Sequence, residues 1–431
     1  MSTLTAAAPT PLDEPSRLLS VDAVRGFALL GILAMNIKTF ALPYAAYFNP
    51  TVLLPYDGVN RWTYIAVHAI FDLKMMTLFS MLFGVGLMIY AQKIERGVEL
   101  PRVRALWFRR MFVLLLMGMA HAYLLWEGDI LVAYAVCGIV FLWWMRRLPP
   151  WAMVLIAVPF TLIPQALWSF QGLMYEWLIN DASPPEWFRI PEADAEQTRL
   201  GLRESYDPTA EQLAEIESTY TGSWSALFEH RASMALQMQT IVIPVFMLWR
   251  GTAMMLLGAA LYKWRVITGE RSTRFYALFT AVSYAVGLPL VLAGVAYNES
   301  TGFDPADYLL VGSHFNAVGS VPVALGHMGL VILLVRAVPS SLPVRALSAV
   351  GRMALTNYLA HSVIASLIFY GFGLALFGTM NRLELQLVVV AVWIAQLVWS
   401  PIWLRHFRFG PVEWLWRTLT YGTPPTMRRA A

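Results

Sequence analysis

The sequence predicts an all-α, polytopic integral membrane protein: a helical bundle of about ten transmembrane helices with both termini in the cytoplasm. Three observations predict it. The chain is 58% hydrophobic and only 13% charged, about half the charged share of an ordinary soluble domain. Its apolar residues gather into segments of spanning length. The loops between those segments alternate between cation-rich and cation-poor.

Ten apolar segments cover residues 21–42, 62–92, 107–126, 130–144, 153–178, 239–263, 275–297, 308–335, 354–377 and 385–404. The second and eighth exceed the roughly 20 residues a span requires, so they are expected to tilt or to begin as interfacial helices. The fourth is short and suits a tight hairpin with the third. One set of loops holds Arg102, Arg104, Arg109 and Arg110, with Lys93 and Arg96 just before them. It continues with Arg146 and Arg147, then Lys263, Arg265, Arg271 and Arg274, then Arg336, Arg345 and Arg352, and a tail from Arg405. The alternate short loops hold only Arg61 and Arg382. The positive-inside rule sends the first set to the cytoplasm.

This organisation divides the chain into a flexible cytoplasmic N-terminus (1–20) and an N-terminal bundle of about five spans (21–178). An external loop with an amphipathic helix follows (179–238), then a C-terminal bundle of about five spans (239–420) and a flexible cytoplasmic tail (421–431). The external loop reads as a solvated cap, or alternatively as a lid over an outward-facing site. The N-terminal leader is rich in Ala, Pro and Ser, with Arg17 its only cation. The apolar run behind it is too long for a signal-peptide core, so it reads as an uncleaved first span. The location expected is a bacterial cytoplasmic membrane, with lipid as the surrounding partner and a homodimer possible.

A pI near 9.1 does not imply nucleic acid here, because cytoplasmic loops collect Lys and Arg and no basic stripe interleaves with aromatics. With one cysteine, Cys137, neither an intramolecular disulfide nor a thiolate metal site is available, and no metal is expected. P-loop, G-x-S-x-G, H-E-x-x-H and C-x-x-C motifs are absent from the sequence, which argues against the common soluble catalytic classes.

Ionisable groups at membrane depth cost a few kcal/mol, so each one raises a functional question. His68 and Asp72, four apart, share a helix face. Lys74 lies about 200° round the helix from Asp72 and requires a partner from another span. Arg250 sits mid-segment, and Asn36, His327, Asn357 and His361 lie in apolar runs, where a helix–helix hydrogen bond is the ordinary use of a lone polar residue. The most informative cluster is H-A-Y-L-L-W-E-G-D-I-L, residues 121–131. Here Trp126 suits a membrane interface and Gly128 a turn with positive φ. Glu127 and Asp129 are expected at the outer mouth, with His121 less than two turns below, and the three to converge on an outward-opening pocket. A histidine beside a carboxylate can serve as a general base; two acids that simply face water are the bland alternative. At the other end, Asp22 and Arg25 open the first span one turn apart.

Several stretches resemble the YeiB family of bacterial inner-membrane proteins. These are S-V-D-A-V-R-G-F-A-L-L-G-I-L-A-M-N-I (20–37), L-K-M-M-T-L-F-S-M-L-F-G-V-G (73–86) and H-A-Y-L-L-W-E-G-D-I-L-V-A-Y (121–134). Two more, G-R-M-A-L-T-N-Y-L (351–359) and F-G-P-V-E-W-L-W-R (409–417), resemble its C-terminal domain of unknown function 418. The opening D-x-x-R-G, with Asp22, Arg25 and Asn36, is also similar to the wider transmembrane acyltransferase superfamily. That similarity implies an acyl-CoA donor in the cytoplasm and a small-molecule, glycan or lipid acceptor across the membrane. Heparan-type N-acetyltransferases of that superfamily use a first-loop histidine, and residues 43–60 of this chain contain none. On this reading His121, Glu127 and Asp129 carry the chemistry, while Arg25, Lys74 and Arg352 line an inner vestibule for the phosphates of coenzyme A. A small-metabolite transporter is the alternative, and would place Lys74 and Arg250 in a through-path. A non-catalytic lipid-binding protein is the third possibility.

Overall fold

The computed structural model describes residues 19–94, 99–180, 182–188 and 190–429. The leader with Arg17, Arg96 and the last two residues of the tail lie outside the described residues. Every regular element described is a helix; one isolated bridge pairs Phe407 with Arg428.

The elements run α1 (Leu19–Ala41), α2 (Gly58–Ile70), α3 (Lys74–Ile94), α4 (Leu100–Leu124), α5 (Leu131–Met145), α6 (Pro150–Leu178), α7 (Glu192–Tyr206), α8 (Ala210–Thr221), α9 (Trp224–Lys263), α10 (Thr273–Ser300), α11 (Pro305–Ala337), α12 (Leu342–Arg352), α13 (Ala354–Phe369), α14 (Arg382–His406) and α15 (Pro411–Tyr421). Eight of the ten apolar segments each fall on one helix; residues 62–92 divide between α2 and α3, and residues 354–377 run past the end of α13 at Phe369. Seven spans among the described residues are long and apolar enough to cross a membrane: α1, α2 with α3, α6, α9, α10, α11 and α14. Helices α5 and α13 are apolar but shorter, and α4 opens on a run of arginines.

Helix α1 is the axis of the bundle. Of its apolar window 83% is buried, against 17% for α6 and 28% for α14, so α6 and α14 form the periphery. Their outward Leu155, Leu162, Leu387 and Ile394 are exposed, as lipid-facing side chains would be. Helices α3, α11, α12, α13 and α14 all pack on α1. At the α1–α12 crossing, Gly26 lies against the Leu347 carbonyl and Gly351 against the Asp22 carbonyl, with no room for a Cβ on either. Small residues of this kind let two backbones meet where lipid offers no hydrophobic drive.

Two sequence expectations change. Of the two alternatives for residues 62–92, one long tilted helix is not found, and the segment begins with a separate helix: α2 stops at Ile70 and α3 starts at Lys74, with Leu73 at φ 65. The left-handed region is unusual for a side-chain-bearing residue. The break stands because neighbours serve the carbonyls it frees: His327 Nε2 bonds the Ile70 oxygen at 2.8 Å, and Lys74 Nζ the His68 oxygen at 2.5 Å. The polar segment also gives way to the apolar span's helix earlier than residue 238. It holds α7 and α8, broken at Asp207-Pro208, while α9 continues without interruption from Trp224 into the apolar span through a π-helical stretch, Met238–Met247.

Candidate functional site

A cavity of about 280 Å³ opens where α1 begins and runs inward between α1, α3, α4, α5, α13 and α15. Arg25, Arg110, Arg352 and Arg417 stand at its mouth, with the carboxylates of Asp22 and Glu413. Arg25 donates to Asp22 at 2.8 Å, and the Arg110 guanidinium lies 3.6 Å over the Trp416 ring. Farther in, the walls are aromatic and apolar: Phe79, Phe83, Trp107, Leu114 and Tyr134. Ile130 and Tyr358 meet at the inner end, where the Ile130 N–H donates to the Tyr358 hydroxyl at 3.3 Å.

Glu413 shapes the mouth without leaving its acid free. Its carboxylate caps α13, accepting from the Leu355 and Thr356 N–H groups at 2.7 and 3.1 Å and from the Thr356 hydroxyl at 2.5 Å. It thereby satisfies donors that a helix N-terminus leaves orphaned. Glu413→Ala should cost about 1 kcal/mol of stability, the usual worth of such a cap. Burial pushes the Glu413 carboxyl up from its ordinary value, so the folded chain holds this proton more tightly than the unfolded one. That contribution is full at acid pH and is lost as pH rises through the raised value. Melting curves should therefore show the wild type losing ground to Glu413→Gln as pH rises from acid to neutral.

Beyond the Tyr358 ring lies the predicted histidine. The His121 ring sits 5.2 Å from that of Tyr358, and His121 Nδ1 meets Asp129 Oδ2 at 2.6 Å. The second oxygen of Asp129 accepts the Val132 N–H at 2.8 Å, which fixes the carboxylate at the start of α5. His121 Nε2 meets Ser362 Oγ of α13 at 2.8 Å. All three side chains are buried. Ser362 was missed from the sequence, since one hydroxyl in an apolar run gives no signal of its own.

The expected convergence of His121, Glu127 and Asp129 on an outward-opening pocket is corrected. Glu127 points away, accepting from the Tyr220 hydroxyl at 2.8 Å beneath the polar cap, with Arg231 3.8 Å distant. The pair His121–Asp129 instead lies behind Tyr358, which lines the cavity that opens at the Arg25 end. Gly128 does not have positive φ; its place is needed because the Trp126 ring folds over it. Trp126 itself is 4% exposed and stacks on Phe40 at 4.2 Å rather than facing an interface.

Lys74 does not join Arg25 and Arg352 at the mouth. It is fully buried at the α2–α3 break, where Asn316 of α11 receives it at 2.5 Å. Beside it, Asp72 accepts from Lys38 at 3.3 Å and from the Tyr47 hydroxyl at 2.9 Å, with His68 Nδ1 at 3.0 Å. A pocket of about 20 Å³ adjoins His68 between Lys38 and Arg382, space for roughly one water. Arg250 donates to Ser320, Thr77 and the Ala317 carbonyl, while its Nε and Nη1 have no partner among the described residues. Asn357, His361 and His327 make helix–helix bonds, to Ser400, Gln396 and Tyr284 respectively. Asn36 lies half-buried on α1, near the Lys38 end.

The chain is 33% identical to the uncharacterised protein YeiB of Escherichia coli (strain K12), a match covering 94% of this chain and 96% of that protein. It belongs to the YeiB family. The uncharacterised protein YxaH of Bacillus subtilis (strain 168) is 31% identical over 96% of both chains. Residues 261–423 match the family described as a protein of unknown function, DUF418. This matched region includes Ser362 and the Arg352, Glu413 and Arg417 side of the mouth, whereas His121 and Asp129 come from the other half of the YeiB-family fold.

Proposed function

We propose that this YeiB-family chain is a membrane acyltransferase of the bacterial cytoplasmic membrane. It takes an acyl group from a cytoplasmic acyl-CoA and delivers it to an acceptor at the outer face. One observation carries the reading: a single cavity joins an arginine-lined mouth to an apolar interior that ends one aromatic ring from a histidine–carboxylate pair. Guanidinium groups suit the phosphates of a nucleotide-bearing thioester. The aromatic walls suit its acyl chain. A histidine held by a carboxylate suits proton transfer at the thioester. The cation-rich loops support an orientation with the Arg25 mouth on the cytoplasmic side.

The test is thermal stability of the purified protein with acetyl-CoA and a longer acyl-CoA at millimolar concentration. A ligand at 100 times its Kd stabilises the fold by about 2.7 kcal/mol. The wild type should melt higher with ligand, Arg352→Ala and Arg25→Ala should gain much less, and Lys74→Ala should keep the full gain over its own unliganded melt. No shift with any acyl-CoA defeats the proposal.

The interrupted α2–α3 helix favours a second reading, transport of a small anion. Broken helices with buried charge at mid-depth are a device of secondary transporters, and Lys38, Lys74 and Arg250 outnumber Asp72 there. Acyl-CoA would then be inert, while uptake into vesicles would depend on Arg250.

A further inference from the structure

We infer that Ser362 is a nucleophile that carries the acyl group as an ester during transfer. The inference rests on the acyl-transfer reading and adds a covalent intermediate to it. Two regions far apart in sequence supply the parts: the last turn of α4 with the α4–α5 turn that follows it, and the middle of α13. Asp129 accepts from Nδ1 of His121, which leaves Nε2 as the basic nitrogen, and Nε2 faces the Ser362 hydroxyl at 2.8 Å. This is the order of groups that activates a serine in hydrolases of unrelated folds.

The local chemistry of α13 supports the assignment. A serine within a helix commonly turns its hydroxyl back to the carbonyl four residues earlier. Ser362 instead commits its hydroxyl to His121. Tyr358, the residue four before it, lies at the inner end of the cavity, so one turn of α13 separates the end of the apolar path from the Ser362 hydroxyl. Buried polar groups are paired, but an imidazole needs only one partner to be held, and here the second ring nitrogen is aimed at a hydroxyl one helical turn from a residue that lines the cavity.

The step balances. Ser362 Oγ forms a bond to the thioester carbonyl carbon while its proton passes to His121 Nε2. The carbon–sulfur bond breaks, and the sulfur takes that proton to leave as the CoA thiol. An acceptor hydroxyl or amine then attacks the Ser362 ester, giving its proton to His121, which returns it to the departing serine oxygen. No oxidant or reductant enters. The Tyr358 ring must swing aside for the acyl carbonyl to reach Oγ.

A fluorescent fluorophosphonate tests the nucleophile without any CoA. With full-length protein in detergent, the wild type and Tyr358→Ala should be labelled, and peptide mapping should place the adduct on Ser362. Ser362→Ala should abolish the adduct, and His121→Gln and Asp129→Asn should slow it by roughly 100-fold or more. Ser366→Ala, which loses only the bond to the Leu125 carbonyl, should label normally, with melting curves confirming that each variant folds. Absence of labelling in both wild type and Tyr358→Ala, or an adduct that survives Ser362→Ala, overturns the inference. A melting shift with acyl-CoA but no Ser362 adduct sinks the covalent intermediate and leaves the acyl-transfer reading standing. A Ser362 adduct without any acyl-CoA shift keeps the nucleophile and removes the CoA donor.

Discussion

Asp72→Ala should destabilise the protein by about 3–5 kcal/mol, the cost of stripping a buried charge of its partner. Asp72 is 4% exposed and is the shared acceptor for Lys38, His68 and Tyr47. Without it, Lys38 remains buried 4.0 Å over the Tyr47 ring with no carboxylate partner. The ring offers a cation part of what the carboxylate gave, worth about 2 kcal/mol at a desolvated site, so the loss is large without being total. Asp72→Ala paired with Lys38→Met should recover much of the stability, because removing both charges removes the uncompensated one. Denaturation in detergent of the two single variants and the double variant checks this. A melting point for Asp72→Ala close to wild type would mean that water already reaches and solvates the cluster.

The same cluster marks where sequence reading stopped. Ten apolar segments and their charged loops were legible because hydrophobic length and cation placement are local properties. The break at residues 71–73 was not, since Ile70, Phe71 and Leu73 carry no helix-breaking signal. It is held by His327 and by Lys74, the first a partner from α11 and the second a residue whose apparent isolation did point to a distant acceptor. In the site, His121 and Asp129 were legible as a close histidine and acid. Glu127 was misplaced because adjacent carboxylates in one tight turn diverge: one is captured by Val132 and His121, the other by Tyr220 of the cap. Ser362, 241 residues from His121, has no spacing that reveals it. The arginine-lined mouth was half legible: Arg25 and Arg352 share it, whereas Arg110, Glu413 and Arg417 arrive from α4 and α15, whose contacts no linear pattern encodes.

Gly258→Val should prevent α9 from seating on α3 and leave little folded protein. A side-chain carbon at Gly258 would fall on the Met81 backbone carbonyl, and one at Gly84 on the Met255 carbonyl. The two glycines thus form a reciprocal contact in which each helix lies directly on the other's backbone. Neither carbonyl can yield as a flexible side chain would, so the helices must separate. Separation opens the packing around Met81, Leu82, Ala253 and Met254, all buried together in one core cluster. Overpacking a core ordinarily costs about 1–3 kcal/mol, and backbone-to-backbone overlap belongs above that range because no rotamer relieves it. Gly258→Ala should already lower the melting temperature, and Gly84→Ala should match it, since the two substitutions press on the same crossing. Gly86→Ala, two residues along α3 with open space where its Cβ would lie, should melt like the wild type or slightly higher, alanine being the better helix former by up to about 1 kcal/mol. Size-exclusion profiles and melting curves for the four variants decide the matter: equal behaviour of Gly86→Ala and Gly258→Ala would show that the α3–α9 crossing is looser than this backbone contact requires.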